Sequence, residues 1–80
     1  MIMDIYKTKD LWEAALIYAC HFKLLRVEQA GKSCWFVFAD KTSCQNIAAT
    51  FWRKEATVNA KDFADSVRTL KDLIFNRESK

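Results

Sequence analysis

Proline is absent from this chain of 80 residues, and Gly31 is its only glycine. These two residue types mark most linkers and tight turns, so no linker, low-complexity stretch or repeat divides the sequence. A chain of this length builds one hydrophobic core and buries only about 60–65% of its unfolded surface. We therefore expect a single domain over residues 1–80, whose helices and strands must be located from caps and hydrophobic periodicity.

The single glycine lies between two β-prone segments, at residues 23–28 and 32–40. Glycine readily adopts the positive φ angle that a tight hairpin often needs, so residues 29–31 predict the turn of an antiparallel hairpin. Both faces are apolar in the second arm, which reads Cys34-Trp35-Phe36-Val37-Phe38-Ala39. Such a strand is stable when both faces are covered, which predicts helices against one face and further protein against the other.

Three segments combine a helix cap with apolar residues at helical spacing. An oxygen-bearing side chain at the N-cap, with Glu or Gln three residues later, satisfies backbone N–H groups of the first turn. The predicted caps are Thr8 or Asp10 with Glu13, Thr42 with Gln45, and Asn59. The predicted apolar rows are Leu11, Ala15, Tyr18 and Phe22 beside Trp12, Leu16 and Ala19; then Cys44, Ile47, Ala48 and Phe51; then Phe63, Val67, Leu70 and Ile74.

The first helix is predicted to end near Ala19 or Cys20, and the second near Lys54. A short strand is predicted over residues 1–6, an extended piece over 56–58 and a frayed tail over 76–80. This order indicates an α+β fold, in which a small antiparallel sheet formed by the central hairpin and the N-terminal strand packs against three helices.

Composition bears on assembly and on partners. Apolar residues make up 51% of the chain and aromatic residues 14%, which is typical of a globular protein. So much apolar surface on a small body favours a homo-oligomer, because further subunits cover faces that one small core cannot. The net charge of +3 is spread along the chain, so it permits an anionic partner but lacks the basic face of a dedicated duplex DNA binder.

The cysteines and the apolar segments bear on the cellular compartment. Cys20, Cys34 and Cys44 lack CxxC spacing, and no signal-like apolar stretch precedes them. No window approaches the ~18 consecutive apolar residues of a membrane-spanning helix. We therefore expect reduced thiols, no membrane association and a cytoplasmic protein.

No pattern typical of catalysis or of metal binding stands out. His21 is the only histidine and follows Cys20 directly. Neighbours at a helix end point in different directions, so a histidine in a left-handed turn at the helix C-terminus explains this pair better than a catalytic dyad. Cys20, His21, Cys34 and Cys44 lack the ligand spacing of structural zinc sites, and buried, inert cysteines fit better. With one glycine there is no Gly-rich phosphate loop, so we expect no enzyme activity, metal or cofactor.

Aromatic and basic side chains occur together at two places. The candidate ligand-binding residues are Trp52, Arg53 and Lys54 at the end of the second helix, and Arg26, Lys32 and Trp35 on the hairpin. Aromatic rings beside cations hold bases and phosphates in nucleotides and single-stranded nucleic acid. Large aromatics more often serve as core or interface anchors in small domains. We place a candidate anion site at these cations, with Trp52 as the stacking face.

A set of residues spread over about 5–75 matches a family pattern. The matching residues are Tyr6-Lys7-Thr8, Asp10-Leu11, Ala14-Ala15, Phe22-Lys23-Leu24-Leu25, Cys34-Trp35-Phe36-Val37-Phe38, Phe51-Trp52, Val58-Asn59, Phe63-Ala64, Leu70-Lys71 and Ile74. With them the chain resembles a short domain family of unknown function that is frequent in bacterial and phage genomes. The resemblance concerns core positions and assigns no catalytic residues. The family usually has glycine where His21 and Lys54 stand in this chain.

The phage association of that family implies a sharper hypothesis. A small phage protein without chemistry of its own can act by occupying something of the host, in the host cytoplasm. An oligomeric sponge that sequesters a nucleotide-derived immune signal needs only aromatics, a few cations and pockets between subunits. The alternatives are a nucleic-acid-binding accessory protein and a protein–protein adaptor that uses the apolar hairpin face.

Overall fold

Three strands form one antiparallel sheet in the part of the chain that the computed structural model describes, residues 4–78 with side chains up to residue 75. The strands are β1 (Ile5–Thr8), β2 (Leu24–Ala30) and β3 (Ser33–Ala39), in the order β1-β3-β2. β2 and β3 form the predicted hairpin, and its turn is shifted to residues 31–32, with Gly31 at φ +62°. The start of the predicted N-terminal strand, residues 1–3, lies outside the described residues.

Three helices complete the predicted α+β fold: α1 (Leu11–Ala19), α2 (Lys41–Trp52) and α3 (Ala60–Glu78). Of the two caps predicted for α1, Asp10 and not Thr8 is the N-cap, and the predicted cap Asn59 of α3 is confirmed. The Asp10 carboxylate accepts a hydrogen bond from the N–H of Glu13 at 3.0 Å, and the Asn59 side-chain oxygen accepts from the N–H groups of Lys61 and Asp62, each at 3.0 Å. Much of the predicted frayed tail, residues 79–80 and the side chains of 76–78, lies outside what the structure describes.

The predicted start of α2 is wrong by two residues. Asp40, not Thr42, is the N-cap, and its carboxylate accepts a hydrogen bond from the N–H of Ser43 at 3.3 Å. The N–H of Asp40 donates to the carbonyl of Asp4 at 3.2 Å, so pairing with β1 continues up to this residue. Its φ of 68° then turns the chain directly into the helix, which leaves Thr42 inside the first turn.

The core lies between one face of the sheet and the helices. Phe36 and Phe38 of β3 point into it, and both are buried. The other members of the buried cluster come from all three helices: Ala14, Ala15, Ile17, Cys44, Val67 and Leu70. Most of the apolar residues predicted for the helices therefore face the core, with Leu11, Tyr18, Phe22, Ile47, Phe63 and Ile74 packed at its margin. Trp12 does not: it is 51% exposed and stacks on Phe63 at a centroid distance of 6.3 Å.

The opposite face of β3 carries Trp35 and Val37, because side chains alternate along a strand. Val37 has no exposed surface, and its cross-strand neighbours are Lys7 on β1 and Arg26 on β2. Long basic side chains can cover apolar surface with their aliphatic stems while the charged heads stay in water. Further protein against this face stays a prediction.

Candidate functional site

A cavity of about 300 Å³ lies beside the hairpin turn, and we call it the hairpin-tip cavity. It is lined by Lys9, Leu11, Lys32, Ser33, Cys34, Phe36 and Ile74. β1 ends next to β3 at this end of the sheet, which brings Lys9, one residue beyond β1, close to the turn that carries Lys32. The cavity therefore combines an apolar floor with two lysines, at the lower end of the roughly 300–1,000 Å³ typical of small-molecule sites.

The two lysines of this cavity are the cations best placed to hold an anion. Neither Lys9 nor Lys32 forms an ion pair with any side chain that the structure describes. The ammonium group of Lys9 lies 5.6 Å from the centre of the Trp35 ring, within the range of a cation–π contact. Of the six candidate residues, Lys32 lines this cavity and Trp35 does not, because Trp35 lies on the opposite face of β3 from Phe36. Lys9, which was not among the six, lines the cavity and also contacts the Trp35 ring.

The second candidate group lies at the end of α2, on an exposed turn. Trp52 is 62% exposed, and its only described ring contact is with Phe51, edge to face at 5.0 Å. The Nε of Arg53 pairs with Glu55 at 3.0 Å, and Lys54 is exposed. These residues line none of the three cavities described here, so they form a surface patch rather than an enclosed site.

Arg26, the last candidate, lies apart from both groups. Its Nε pairs with the Glu28 carboxylate at 2.7 Å, and Lys7 pairs with the other oxygen at 2.9 Å. These two cations hold the pKa of Glu28 below its usual value through hydrogen bonds, Lys7 having the larger effect. Arg26 also lines a groove of about 270 Å³ at the edge of the sheet, with Leu24, Leu25, Val27 and Leu73.

A third cavity, of about 400 Å³, lies between the end of α1 and the first turns of α3. It is lined by Tyr18, Ala19, His21, Phe22, Asp62, Asp65, Ser66 and Thr69. Two carboxylates and no lysine or arginine line it, so it repels a phosphate. It is the largest of the three cavities, but its two carboxylates, of which Asp65 pairs with Lys61 at 3.6 Å, disfavour the anionic ligand expected from the sequence.

His21 lines this cavity and Cys20 does not, and the two residues have the arrangement expected of a helix end. His21 has a φ of 73°, and its N–H donates to the carbonyl of Tyr18 at 2.9 Å, which closes the last turn of α1. Burial raises the pKa of the Cys20 thiol. A nucleophilic cysteine needs the opposite shift, because the thiolate is the reactive form.

Cys44 is also placed for packing rather than for chemistry. Its Sγ is buried and donates to the carbonyl of Ala39 at 3.3 Å, and burial, with the charges of Asp40 and Glu13, raises its pKa to about 11. Among the described residues, no group of three or more His, Cys, Asp or Glu side chains could hold a metal ion. None of the described helices has the length and hydropathy to cross a membrane.

Glu13 is the polar residue whose role the sequence analysis missed. Its side chain does not return to the α1 cap; instead Tyr6 donates to Oε2 at 2.5 Å and Thr8 donates to Oε1 at 2.7 Å. Glu13 is only 5% exposed, and burial together with this hydrogen bond raises the pKa of Tyr6 well above its usual value. Both carboxylate oxygens are engaged, so the group serves to join β1 to α1.

Comparison with protein families gives one match. A family model described as a domain of unknown function (DUF5659) covers residues 3–76 of this chain. Comparison with curated proteins and with solved structures gave no match. His21 and Lys54, the two positions where the resemblance noted above implies glycine, both have positive φ, at 73° and 62°, a conformation that glycine adopts readily.

Proposed function

We propose a function for this chain, which belongs to the DUF5659 family of domains of unknown function. It is a non-enzymatic, homo-oligomeric binding protein whose ligand is a small phosphorylated nucleotide. The observation that carries the proposal is the hairpin-tip cavity, where Lys9 and Lys32 stand without acidic partners among the described side chains. Lysine is a compact point charge suited to a phosphate, and the apolar floor suits a base or sugar.

The described residues support binding more than turnover. A nucleophile needs a base within hydrogen-bond reach or a lowered pKa. Burial raises the pKa of Cys20 and Cys44, and both oxygens of the buried Glu13 carboxylate accept hydrogen bonds from Tyr6 and Thr8. A protein that holds a nucleotide without converting it lowers the free concentration of that nucleotide. We therefore extend the proposal to sequestration of a nucleotide-derived defence signal by a protein of phage or mobile-element origin, following the family resemblance.

Calorimetric titration with ATP, adenosine and inorganic phosphate tests the binding site. We expect ATP to bind more tightly than adenosine or inorganic phosphate, because the cavity offers contacts to both the nucleoside and the phosphates. The double variant Lys9→Ala/Lys32→Ala should lose at least about tenfold in ATP affinity, since one charge-assisted hydrogen bond contributes about 1.5–3 kcal/mol. Lys41→Ala, which removes an exposed lysine outside the cavity, is the matched control. Equal ATP affinity in the double variant and the control would exclude this cavity as the site.

The patch at the end of α2 is tested in the same titration. Arg53→Ala/Lys54→Ala should leave ATP affinity unchanged if the hairpin-tip cavity is the site. A large loss in this variant, with none in Lys9→Ala/Lys32→Ala, would move the site to the surface patch around Trp52.

Salt dependence separates a nucleotide ligand from nucleic acid. Binding along a polyanion releases many counterions, so its affinity falls steeply with salt, whereas a single nucleotide held by two lysines responds weakly. We expect ATP to bind with a shallow salt slope and a single-stranded oligonucleotide to bind no more tightly than ATP. Tighter and steeply salt-dependent oligonucleotide binding would favour the nucleic-acid accessory function instead.

Cys34 gives a readout that does not depend on affinity measurements. It lines the hairpin-tip cavity and is half-buried, whereas Cys20 lies outside it. ATP bound in the cavity should slow alkylation of Cys34 by iodoacetamide and leave Cys20 unaffected, as measured by peptide mass spectrometry. Equal rates with and without saturating ATP would show that ATP is bound elsewhere.

A further inference from the structure

β2 is an edge strand, and its outer side carries unpaired backbone groups. The order β1-β3-β2 leaves β2 with β3 as its only partner among the described strands. In a hairpin with a two-residue turn the closing pair, here Ala30 and Ser33, exchanges hydrogen bonds, and the pattern alternates from there. Glu28 therefore directs its backbone groups at β3, while Val27 and Gln29 direct theirs away from the sheet.

An apolar groove runs along this same edge. Its volume is about 270 Å³, and its lining combines Leu24, Leu25, Val27 and Leu73 with Arg26. Leu73, on α3, is 36% exposed. Edge strands of monomeric proteins usually carry charges, prolines or bulges that prevent pairing. β2 has a bulge at Leu25 and carries the charges of Arg26 and Glu28, but it is regular from Arg26 to Ala30, so its second half can accept a strand whose charges are complementary.

The charges of β2 are complementary to a second copy of β2 in one register. Arg26 and Glu28 lie on the same face of the sheet and flank Val27. If two copies of β2 pair antiparallel around a two-fold axis at Val27, Arg26 of each copy lies opposite Glu28 of the other. A shift of the axis to Arg26 or to Glu28 would instead place like charges opposite each other, which is destabilising. The charges therefore select one register.

Arg26 has hydrogen-bond donors left for such a contact. Its described ion pair with Glu28 of the same chain uses Nε only. A guanidinium group has five N–H donors, so its terminal nitrogens can bind a second carboxylate. A network of four charged groups, the two Glu28 carboxylates and the two Arg26 guanidinium groups, would then lie across the axis.

We propose that β2 is a homodimer interface, in which two copies of this chain pair antiparallel around Val27 and form one continuous six-stranded sheet. Backbone groups of Val27 supply the central hydrogen bonds, the Arg26–Glu28 pairs fix the register, and the apolar groove around Leu73 adds buried surface. The inference rests on the homo-oligomeric part of the proposed function and does not depend on the ligand.

Charge exchange tests this register. Arg26→Glu and Glu28→Arg each place like charges opposite each other in the homodimer, so each should raise the dimer dissociation constant at least about tenfold, which corresponds to about 1.4 kcal/mol. The double exchange Arg26→Glu/Glu28→Arg restores opposite charges and should restore the dimer. An equimolar mixture of the two single variants should form a heterodimer, because every facing pair is then of opposite sign. Native mass spectrometry resolves these species.

Several outcomes would overturn the interface. They are a monomeric wild-type chain up to near-millimolar concentration, single variants as dimeric as wild type, or no heterodimer on mixing folded variants. Circular dichroism checks folding. If one single variant is unfolded, the other single variant decides together with the double exchange: a weakened dimer in the single variant and a restored dimer in the double exchange support the register, whereas two dimers of wild-type affinity or two monomers refute it.

ATP titration of the same proteins keeps this result separate from the proposed function. If neither single charge exchange changes the dimer dissociation constant, the β2 interface is refuted, but the proposal of a homo-oligomer stands. A monomer that binds ATP refutes the oligomer and leaves the ligand site in place. Loss of ATP binding in the lysine variants has no bearing on the β2 register.

Discussion

The phenolic oxygen of Tyr6 donates a hydrogen bond to Oε2 of Glu13 at 2.5 Å, and so links the first strand to the first helix. Thr8 occupies the other carboxylate oxygen at 2.7 Å. A buried carboxylate is costly unless its oxygens are hydrogen bonded, so these two hydroxyl groups make the burial of Glu13 tolerable. The hairpin-tip cavity begins just beyond Thr8, at Lys9.

Tyr6→Phe should destabilise the protein by about 1.5–3 kcal/mol, the range for a hydrogen bond to a charged group. The ring stays in place while one oxygen of Glu13 loses its donor. Urea denaturation measures the change. Tyr18→Phe is the control, because Tyr18 is half-buried and no described residue accepts a hydrogen bond from it. Equal losses in both variants would show that the hydroxyl of Tyr6 contributes nothing specific.

Asp40→Ala should lower the free energy of unfolding by about 1–2 kcal/mol, because it removes the capping oxygen of α2. Alanine would also keep the strain of a non-glycine residue at φ 68° without the hydrogen bond that offsets it. Thr42→Ala, the equivalent change at the cap that the sequence indicates, should alter the free energy of unfolding by less than about 0.5 kcal/mol. Thermal or urea unfolding of the two variants distinguishes the caps. A larger loss of stability in Thr42→Ala than in Asp40→Ala would indicate that Thr42 is the cap.

His21→Gly and Lys54→Gly should each stabilise the protein by up to about 1 kcal/mol. Left-handed φ costs a non-glycine residue about 1–2 kcal/mol, and the extra freedom that glycine gives the unfolded chain returns about 0.4–1 kcal/mol of this. Alanine at the same positions keeps the strain and should not stabilise. A rise in the unfolding midpoint for both alanine variants would mean that the side chains, and not the backbone angles, are responsible.

Stability should fall with rising pH above about pH 9 through Cys44. Its pKa is raised from 9.0 to about 11, mainly by burial, so the unfolded thiol loses its proton at a lower pH than the folded one. The folded state binds more protons in this window, and the slope is at most about 1.4 kcal/mol per pH unit for one such group. The window from pH 9 to 10 is the cleanest, because Tyr6 has an ordinary pKa of 10.0 and adds to the loss above it.

Cys44→Ala provides the control for this pH dependence. It should lower the free energy of unfolding at every pH by removing a buried sulfur, and it should also flatten the slope between pH 9 and 10. Urea denaturation at several pH values measures both. Parallel curves for the two proteins would show that Cys44 does not titrate in this way, and would leave Cys20 as the source of the slope.

Local signals in the sequence located most of the helices and strands. Asn59, and Asp10 as one of two alternatives with Thr8, were identified as caps because an N-cap needs only one oxygen next to the first turn. Gly31 identified the hairpin because its backbone freedom is a local property. Thr42 and Gln45 satisfied the same local rule, but the N-cap of α2 predicted from them was wrong. Asp40 is the N-cap because pairing between β3 and β1 ends there.

The candidate site was predicted only in part. Lys32 and Trp35 are close in sequence, and the structure keeps them at one corner of the molecule. Lys9 lies more than twenty positions earlier and reaches that corner because β1 pairs with β3. No local sequence pattern predicts that pairing. Trp52 and its basic neighbours gave the stronger sequence signal but lie on an open turn.

The sequence by itself determined the α+β class, the hairpin and most of the inward rows of the helices, because periodicity and capping are properties of neighbouring residues. Only the tertiary structure decided which lysines share a cavity, why Glu13 is buried and which strand is left at the edge of the sheet. Those outcomes depend on strand order and on contacts between distant residues, and free energy gained by burial is shared among side chains that the sequence keeps far apart.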